Sequence, residues 1–251
     1  MGERIAHPDR DARGAALGRF LAALRAALAA AAASTGEPGA ARALDDFARR
    51  ASAIATPAMR GEPDVGMRGE RDAGMRGEPG VGMRREAKPT VGGETERIAV
   101  CRFWDTALTD SSATELTAAL RALGPALSWA QNPNYRRRPP DPTFLDNYGY
   151  AVIAGPSDGP PALAAAPSLA LGVLLLGPHA HYPVHAHPAV EIYYTLTAGE
   201  WWREPGPWRS EPVGTAIYHA PNVRHATRAG AGPLLAVYLW HGDLTTHATL
   251  V

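Results

Sequence analysis

Cysteine occurs once in these 251 residues, at Cys101, so no intrachain disulfide can form and no second thiolate can join it in a metal knuckle. Cys101 reads as a packing thiol. An excess of either charge is also missing, since 25 Lys and Arg offset 25 Asp and Glu. Such a balance lacks the electrostatic footprint of a nucleic-acid binder and suits a small, zwitterionic ligand. Eighteen or more consecutive apolar residues, the length of a membrane span, occur nowhere. The nearest approach is "LGRFLAALRAALAAAAAS", Leu17 to Ser34, where Leu17, Phe20, Leu21, Leu24 and Leu28 fall on one stripe of an amphipathic helix. Arg19 and Arg25 interrupt what would otherwise be a signal peptide's core. The expectation is a cytoplasmic protein with neither a membrane nor a nucleic-acid partner.

A second helix is expected over residues 39–56, with Leu44, Phe47 and Ile54 among alanines. From Met59 the chain reads "MRGEPDVG", "MRGERDAG", "MRGEPGVG" and "MRREAKPTVG", an octad too short and too polar to build a solenoid unit. It reads as a flexible insert. Order resumes at "ERIAVCRFWDTAL", and Thr114 to Gln131 carries a helix start signal and leucine spacing. After the turn-rich "NPNYRRRPPDP", short β-rich runs separated by Gly and Pro dominate: "FLDNYGYAVIAGP", "LALGVLLLG", "EIYYTLTAGEWW", "GTAIYHA" and "PLLAVYLWHG". This punctuation predicts an antiparallel sandwich or barrel. Four segments follow: a helical extension over 1–58, the octad insert over 59–92, a helical and irregular segment over 93–145 packing on the barrel, and a metal-binding barrel over 146–251.

Of nine histidines, only His7 lies outside the stretch from His179 to His247. "HYPVHAHPAVEIYY", residues 181–194, is the densest part. Side chains alternate faces along a strand, so His185, His187, Glu191 and Tyr193, all odd-numbered, point into one interior if the stretch is a strand or a strand with an even turn. Imidazole and carboxylate together suit one divalent ion: zinc, iron, manganese, cobalt or nickel. A further ligand comes from "PVGTAIYHAPNVRHA", which offers His219 and His225; the turn at Pro221 and Asn222 aims the second. A lone histidine in a β domain is more often a core or surface residue, and strands favour tyrosine anyway. Four convergent polar groups are different, because burying each without a partner would cost on the order of a few kcal/mol. His179, His181, His219, His241 and His247 each read as loop or supporting residues.

"HAHPAVE" with a distant "PNVRHA" resembles the two cupin motifs, His-x-His-x3-Glu and a later His. Gly177 lies farther upstream of His185, and Gly199 one residue farther beyond Glu191, than the usual cupin spacing. The wider string, "GVLLLGPHAHYPVHAHPAVEIYYTLTAGEWW", "GPWRSEPVGTAIYHAPNVRHA" and "LLAVYLWHGDL", is similar to the cupin-type dimethylsulfoniopropionate lyases from about Leu116 to Leu244. That resemblance implies a mainly β protein, a cupin-like antiparallel jelly-roll barrel preceded by N-terminal helices. It implies cleavage of dimethylsulfoniopropionate to dimethyl sulfide and acrylate by metal-dependent β-elimination. His187, Glu191 and His225 match the family's metal ligands, and His185 matches the first cupin histidine. Tyr193 matches the catalytic base, Tyr182 a second active-site tyrosine, and Trp240 an aromatic residue of the pocket that would hold the sulfonium on its face.

Two other readings share these ligands: an Fe(II)-dependent cupin oxygenase, and a non-catalytic cupin that binds a small ligand. Tyr182 and Tyr193 around the ligands favour the lyase, since a passive binder does not require them. An exposed sheet edge or the N-terminal helices offer surfaces for a homodimer.

Overall fold

The leucine stripe becomes the buried face of α1 (Pro8–Ser34), with Phe20, Leu24 and Leu28 fully enclosed. The structure, a computed structural model, describes residues 8–55, 98–112 and 114–251. The octads at 59–92 lie outside the described residues. By length and composition Asp11–Ser34 is sufficient to cross a membrane. Its apolar stripe packs in the same core as Leu44 and Phe47 of α2 (Pro38–Ser52) and Leu116, Leu120 and Leu123 of α4 (Glu115–Leu123). α2 starts on Pro38, whose fixed φ suits a first helical turn, and it ends before the expected residue 56, although Ile54 beyond it is still buried.

A turn of 3-10 helix at Ala99–Phe103 leads into α3 (Trp104–Asp110). The start signal at Thr114 is realised: its hydroxyl accepts from the Thr117 N–H at 3.2 Å. The helix does not run to Gln131, however. It stops at Leu123 and continues only as a 3-10 turn over Gly124–Ala126, where Pro125 has no N–H to extend the α-helical ladder. Trp129–Ala130 is already a strand, β1, and α5 (Pro133–Arg137) follows it.

The remaining strands are β2 (Tyr148–Gly155), β3 (Ala164–Ala165), β4 (Ala170–Leu176), β5 (His181–Ala186), β6 (Val190–Thr195), β7 (Gly199–Arg203), β8 (Arg209–Glu211), β9 (Ala216–His219), β10 (His225–Arg228), β11 (Leu234–His241) and β12 (Thr249–Leu250). They form two sheets, one in the order β1-β2-β4-β11-β6-β9 and the other β12-β5-β10-β7-β8. Pairing is antiparallel throughout these two paths; the two-residue β3 pairs parallel to β2. The protein is thus mainly β, a cupin-type barrel with helices at its N-terminal side.

The first sheet is covered on both faces, which explains why "LALGVLLLG" and "PLLAVYLW" are nearly continuous apolar runs. Leu171, Val173, Leu175, Ile192, Leu235, Val237 and Leu239 share a core with the helices. The alternate residues Leu174, Leu176, Tyr193, Ala236 and Tyr238 pack in the barrel interior with Tyr182 and Trp201 of the second sheet. Gly172 makes room there, since a Cβ would run into the Tyr238 ring and the Ala151 carbonyl.

Candidate active site

Register assembles the centre. Glu191 on β6 lies directly opposite Trp240 on β11 and His219 on β9, so three side chains form one transverse row. The next row on the same face places Tyr193 between Tyr238 and Ile217. Glu191 is 0% exposed, and each carboxylate oxygen has a donor from a cross-strand neighbour. Trp240 Nε1–H donates to Oε1 at 2.5 Å, and His219 Nδ1 reaches Oε2 at 2.9 Å. The second sheet contributes His185 and His225, direct partners across β5 and β10. His187 sits where the chain crosses from β5 to β6, its carbonyl accepting from the N–H of Asn222, a residue with φ of 61°.

Three of the histidines are oriented by backbone carbonyls. The Nδ1 atoms of His185, His187 and His225 lie 2.8, 3.1 and 2.9 Å from the carbonyl oxygens of Pro183, Ala189 and Val223. A carbonyl only accepts, so each Nδ1 carries a hydrogen, and each Nε2 is left to face the interior. For His187 and His225 it faces Glu191 Oε2, at 3.2 and 3.1 Å. The ligand atoms of His187, Glu191 and His225 all lie within 4.8 Å of one another.

Lone pairs on two imidazoles and one carboxylate cannot share that space unless something positive lies between them. Protons serve poorly. The ring centroids of His187 and His225 are 5.1 Å apart, so two imidazolium ions would repel across one carboxylate charge, and His225 Nε2 has no hydrogen-bond partner among the described residues despite its proximity to Oε2. A single divalent cation satisfies all three donors, and this donor set fits one.

Electrostatics support a pre-arranged, anionic site. Burial alone would raise the Glu191 carboxyl, but His187, His219 and His225 outweigh it and hold it well below the usual carboxylate range. Burial and the neighbouring His225 push His219 down to about 3, and the same causes hold His185 well below its ordinary value. Burial, and then the Glu191 charge, push the Tyr193 phenol well above its ordinary value. Without a cation nearby, Tyr193 is therefore a neutral phenol.

The parity expectation for His185, His187, Glu191 and Tyr193 holds in space, as all four are buried around one interior. His185 does not join the three-residue cluster at 4.8 Å, and lies beside it, its ring 4.1 Å from that of His225. Tyr182 reaches the same interior despite its even number. Three intervals of β5, from Tyr182 to His185, oppose only two intervals of β10, from His225 to Thr227, and this bulge turns Tyr182 inward. Its ring stacks on His185 at 3.9 Å and 7°, and its hydroxyl donates to Tyr135 at 3.0 Å. Trp240 has one expected and one unexpected part. It borders the pocket, but its ring lies 4.0 Å from His187 and its N–H is committed to Glu191.

Tyr182, Tyr193 and Trp240 line a single pocket with Tyr148, Tyr150 and Tyr238. Tyr238 was within reach of sequence reasoning, since it shares strand parity with Trp240. Leu244, His247 and Ala248 close one side of the pocket, with the Ala248 carbonyl accepting from Asn132 Nδ2 at 2.9 Å. Neither that wall nor the Tyr135 contact has a local sequence signal.

Comparison with known proteins bears on the chain's family. A family model of dimethylsulfoniopropionate (DMSP) lyases matches residues 83–236. The DMSP lyase DddQ of Ruegeria pomeroyi is 33% identical over 147 residues, covering 58% of this chain and 70% of that protein. The crystal structure of DddQ from Ruegeria pomeroyi DSS-3 superposes with a TM-score of 0.55 at 28% identity, over 65% of this chain and 80% of that one. A solved structure of the DMSP lyases RdDddP and RnDddQII shares the fold, with a TM-score of 0.51 at 23% identity over 62% of this chain and 82% of that one. With more than half of its length matched by the family model, the chain belongs to the dimethylsulfoniopropionate lyase family.

Proposed function

We propose that this protein cleaves dimethylsulfoniopropionate to dimethyl sulfide and acrylate, by a β-elimination that Tyr193 begins. The observation that carries the reading is the Glu191 carboxylate facing the Nε2 atoms of both His187 and His225, with Tyr193 buried in the next row on the same face of the sheet. His187, Glu191 and His225 would hold a divalent metal, with His185 Nε2 as a fourth donor. Zinc, iron, manganese, cobalt and nickel all suit these donors. When bound, such an ion supplies Lewis-acid charge beside a substrate carboxylate and favours the phenolate form of a nearby tyrosine.

The chain's own residues supply the rest. Tyr193 takes a proton from the carbon next to the substrate carboxylate. Those electrons form the new C=C bond as the bond from the β-carbon to sulfur breaks, and its electron pair leaves with dimethyl sulfide. A sulfonium is a good leaving group, so no strong acid is needed. The exposed face of Trp240 and the ring of Tyr182 border the space for the cation. We further propose that the helices over 1–58 and the segment 93–145 support a barrel over 146–251, in a cytoplasmic protein able to form a homodimer.

The test is to incubate metal-loaded protein with dimethylsulfoniopropionate and assay the headspace, with and without oxygen. Dimethyl sulfide should form equally in both, vanish on chelation and return on adding zinc, manganese or iron. Oxygen uptake without dimethyl sulfide would make the protein an oxygenase, and no turnover at all would make it a binding module. Full activity in protein shown by elemental analysis to be metal-free would refute the metal.

A further inference from the structure

Trp240 and His219 flank Glu191 from opposite sides, but they hold different oxygens. Trp240 takes Oε1, whereas His219 takes Oε2, the oxygen that also faces His187 and His225. His219 is 1% exposed, and its other ring nitrogen, Nε2, reaches no partner among the described residues. A carboxylate only accepts, so Nδ1 carries the hydrogen. The ring also stacks on that of His225, with centroids 3.9 Å apart and planes 24° from parallel. One side chain therefore touches two of the three residues in the cluster, and it does so from a register position directly opposite Glu191.

We propose that His219 is a positioning residue of the metal centre: its Nδ1–H fixes the Glu191 carboxylate so that the remaining lone pair of Oε2 faces the space between His187 and His225. Without this donor, the Trp240 bond to Oε1 is left to restrain the terminal carboxylate torsion, and the alignment of Oε2 toward His187 and His225 loosens. Removing such outer hydrogen bonds typically weakens metal binding by about 10–100-fold. The proposal rests on the metal reading above.

Three substitutions separate the donor from the packing. His219→Asn places an amide N–H near the position of Nδ1; His219→Gln carries it farther out, toward the position of Nε2; His219→Phe keeps a ring over His225 and has no donor. Each is compared with the unaltered protein by calorimetric titration with zinc and by the visible absorption of the cobalt(II)-loaded form, and melting of each metal-free variant reports folding. Zinc affinity should fall about 10–100-fold in the Gln and Phe variants and remain within about threefold in Asn, with an altered cobalt spectrum only in the first two. Should Phe fail to fold, the contrast of Asn with Gln decides. Unchanged affinity and spectrum in Gln, or an equal loss in Asn and Gln, would overturn the proposal. Unaltered protein that takes up neither zinc nor cobalt would overturn the metal reading, and this inference with it, which is a different result from a metal-binding protein indifferent to His219.

Discussion

Replacing Trp240 by Phe removes one N–H while leaving an aromatic ring against His187 and the pocket. The lost contact is a hydrogen bond to an ionised carboxylate, at 2.5 Å, on a residue that is 0% exposed. Hydrogen bonds to charged groups contribute about 1.5–3 kcal/mol, and a buried Oε1 left without its donor pays its full desolvation cost. For a domain of this size each kcal/mol moves the melting temperature by about 2–4 °C, so the metal-free variant should melt about 3–12 °C lower. A double-mutant cycle with Glu191→Gln isolates the pair, and a coupling of about 1–2 kcal/mol is expected between groups in direct contact. A cation held on the indole face is a separate effect, invisible without ligand. Calorimetry in a Tyr193→Phe background, where the substrate survives, should show a larger loss for the sulfonium compound than for acrylate when Trp240 becomes Ala. A Phe variant that melts with the unaltered protein, or a strictly additive cycle, would refute the role of the N–H.

Tyr193→Phe should retain metal, measured by elemental analysis, and lose turnover by about 10²-fold or more, the scale of a general base; substantial residual turnover would pass the role to Tyr182. Asp46 offers a pH-dependent test of the ion pairs within α2. Burial raises its carboxyl, but hydrogen bonds from Arg50 at 2.6 Å and Arg49 at 2.9 Å outweigh it and lower the pKa below 3.8. A lowered carboxyl stabilises above its unfolded pKa and ceases to as pH falls through the folded one, so Asp46→Asn should melt lower at pH 7, with the gap closing below about pH 4. Equal gaps at pH 7 and pH 3 would place the effect in packing. Deleting residues 59–92 should leave melting temperature and turnover nearly unchanged, because the octads carry too little apolar content to join a core; a deletion that prevents folding would refute it.

The active site divides into a part written along one strand and a part written across several. The odd-numbered His185, His187, Glu191 and Tyr193 do meet in one interior, His185 from β5, His187 from the crossing between sheets, and Glu191 and Tyr193 from β6. Tyr182 breaks the same rule, and the break has a cause that parity does not contain: the bulge of β5 against β10 inserts a residue around Pro183 and Val184. His219 shows the limit more sharply. Nothing in "AIYHAPN" separates it from a supporting core histidine, since its place is set by pairing β9 to β6 in the register that puts it opposite Glu191. Trp240 reaches Glu191 through the same kind of pairing on the other side. Both donors to the buried carboxylate are thus properties of the sheet rather than of any segment, and so is the double burial that makes β4 and β11 continuous apolar runs. A one-residue slip of β9 would move His219 to the opposite face and leave Oε2 without its donor, so the pairing that closes this part of the barrel also sets the alignment of its acidic ligand.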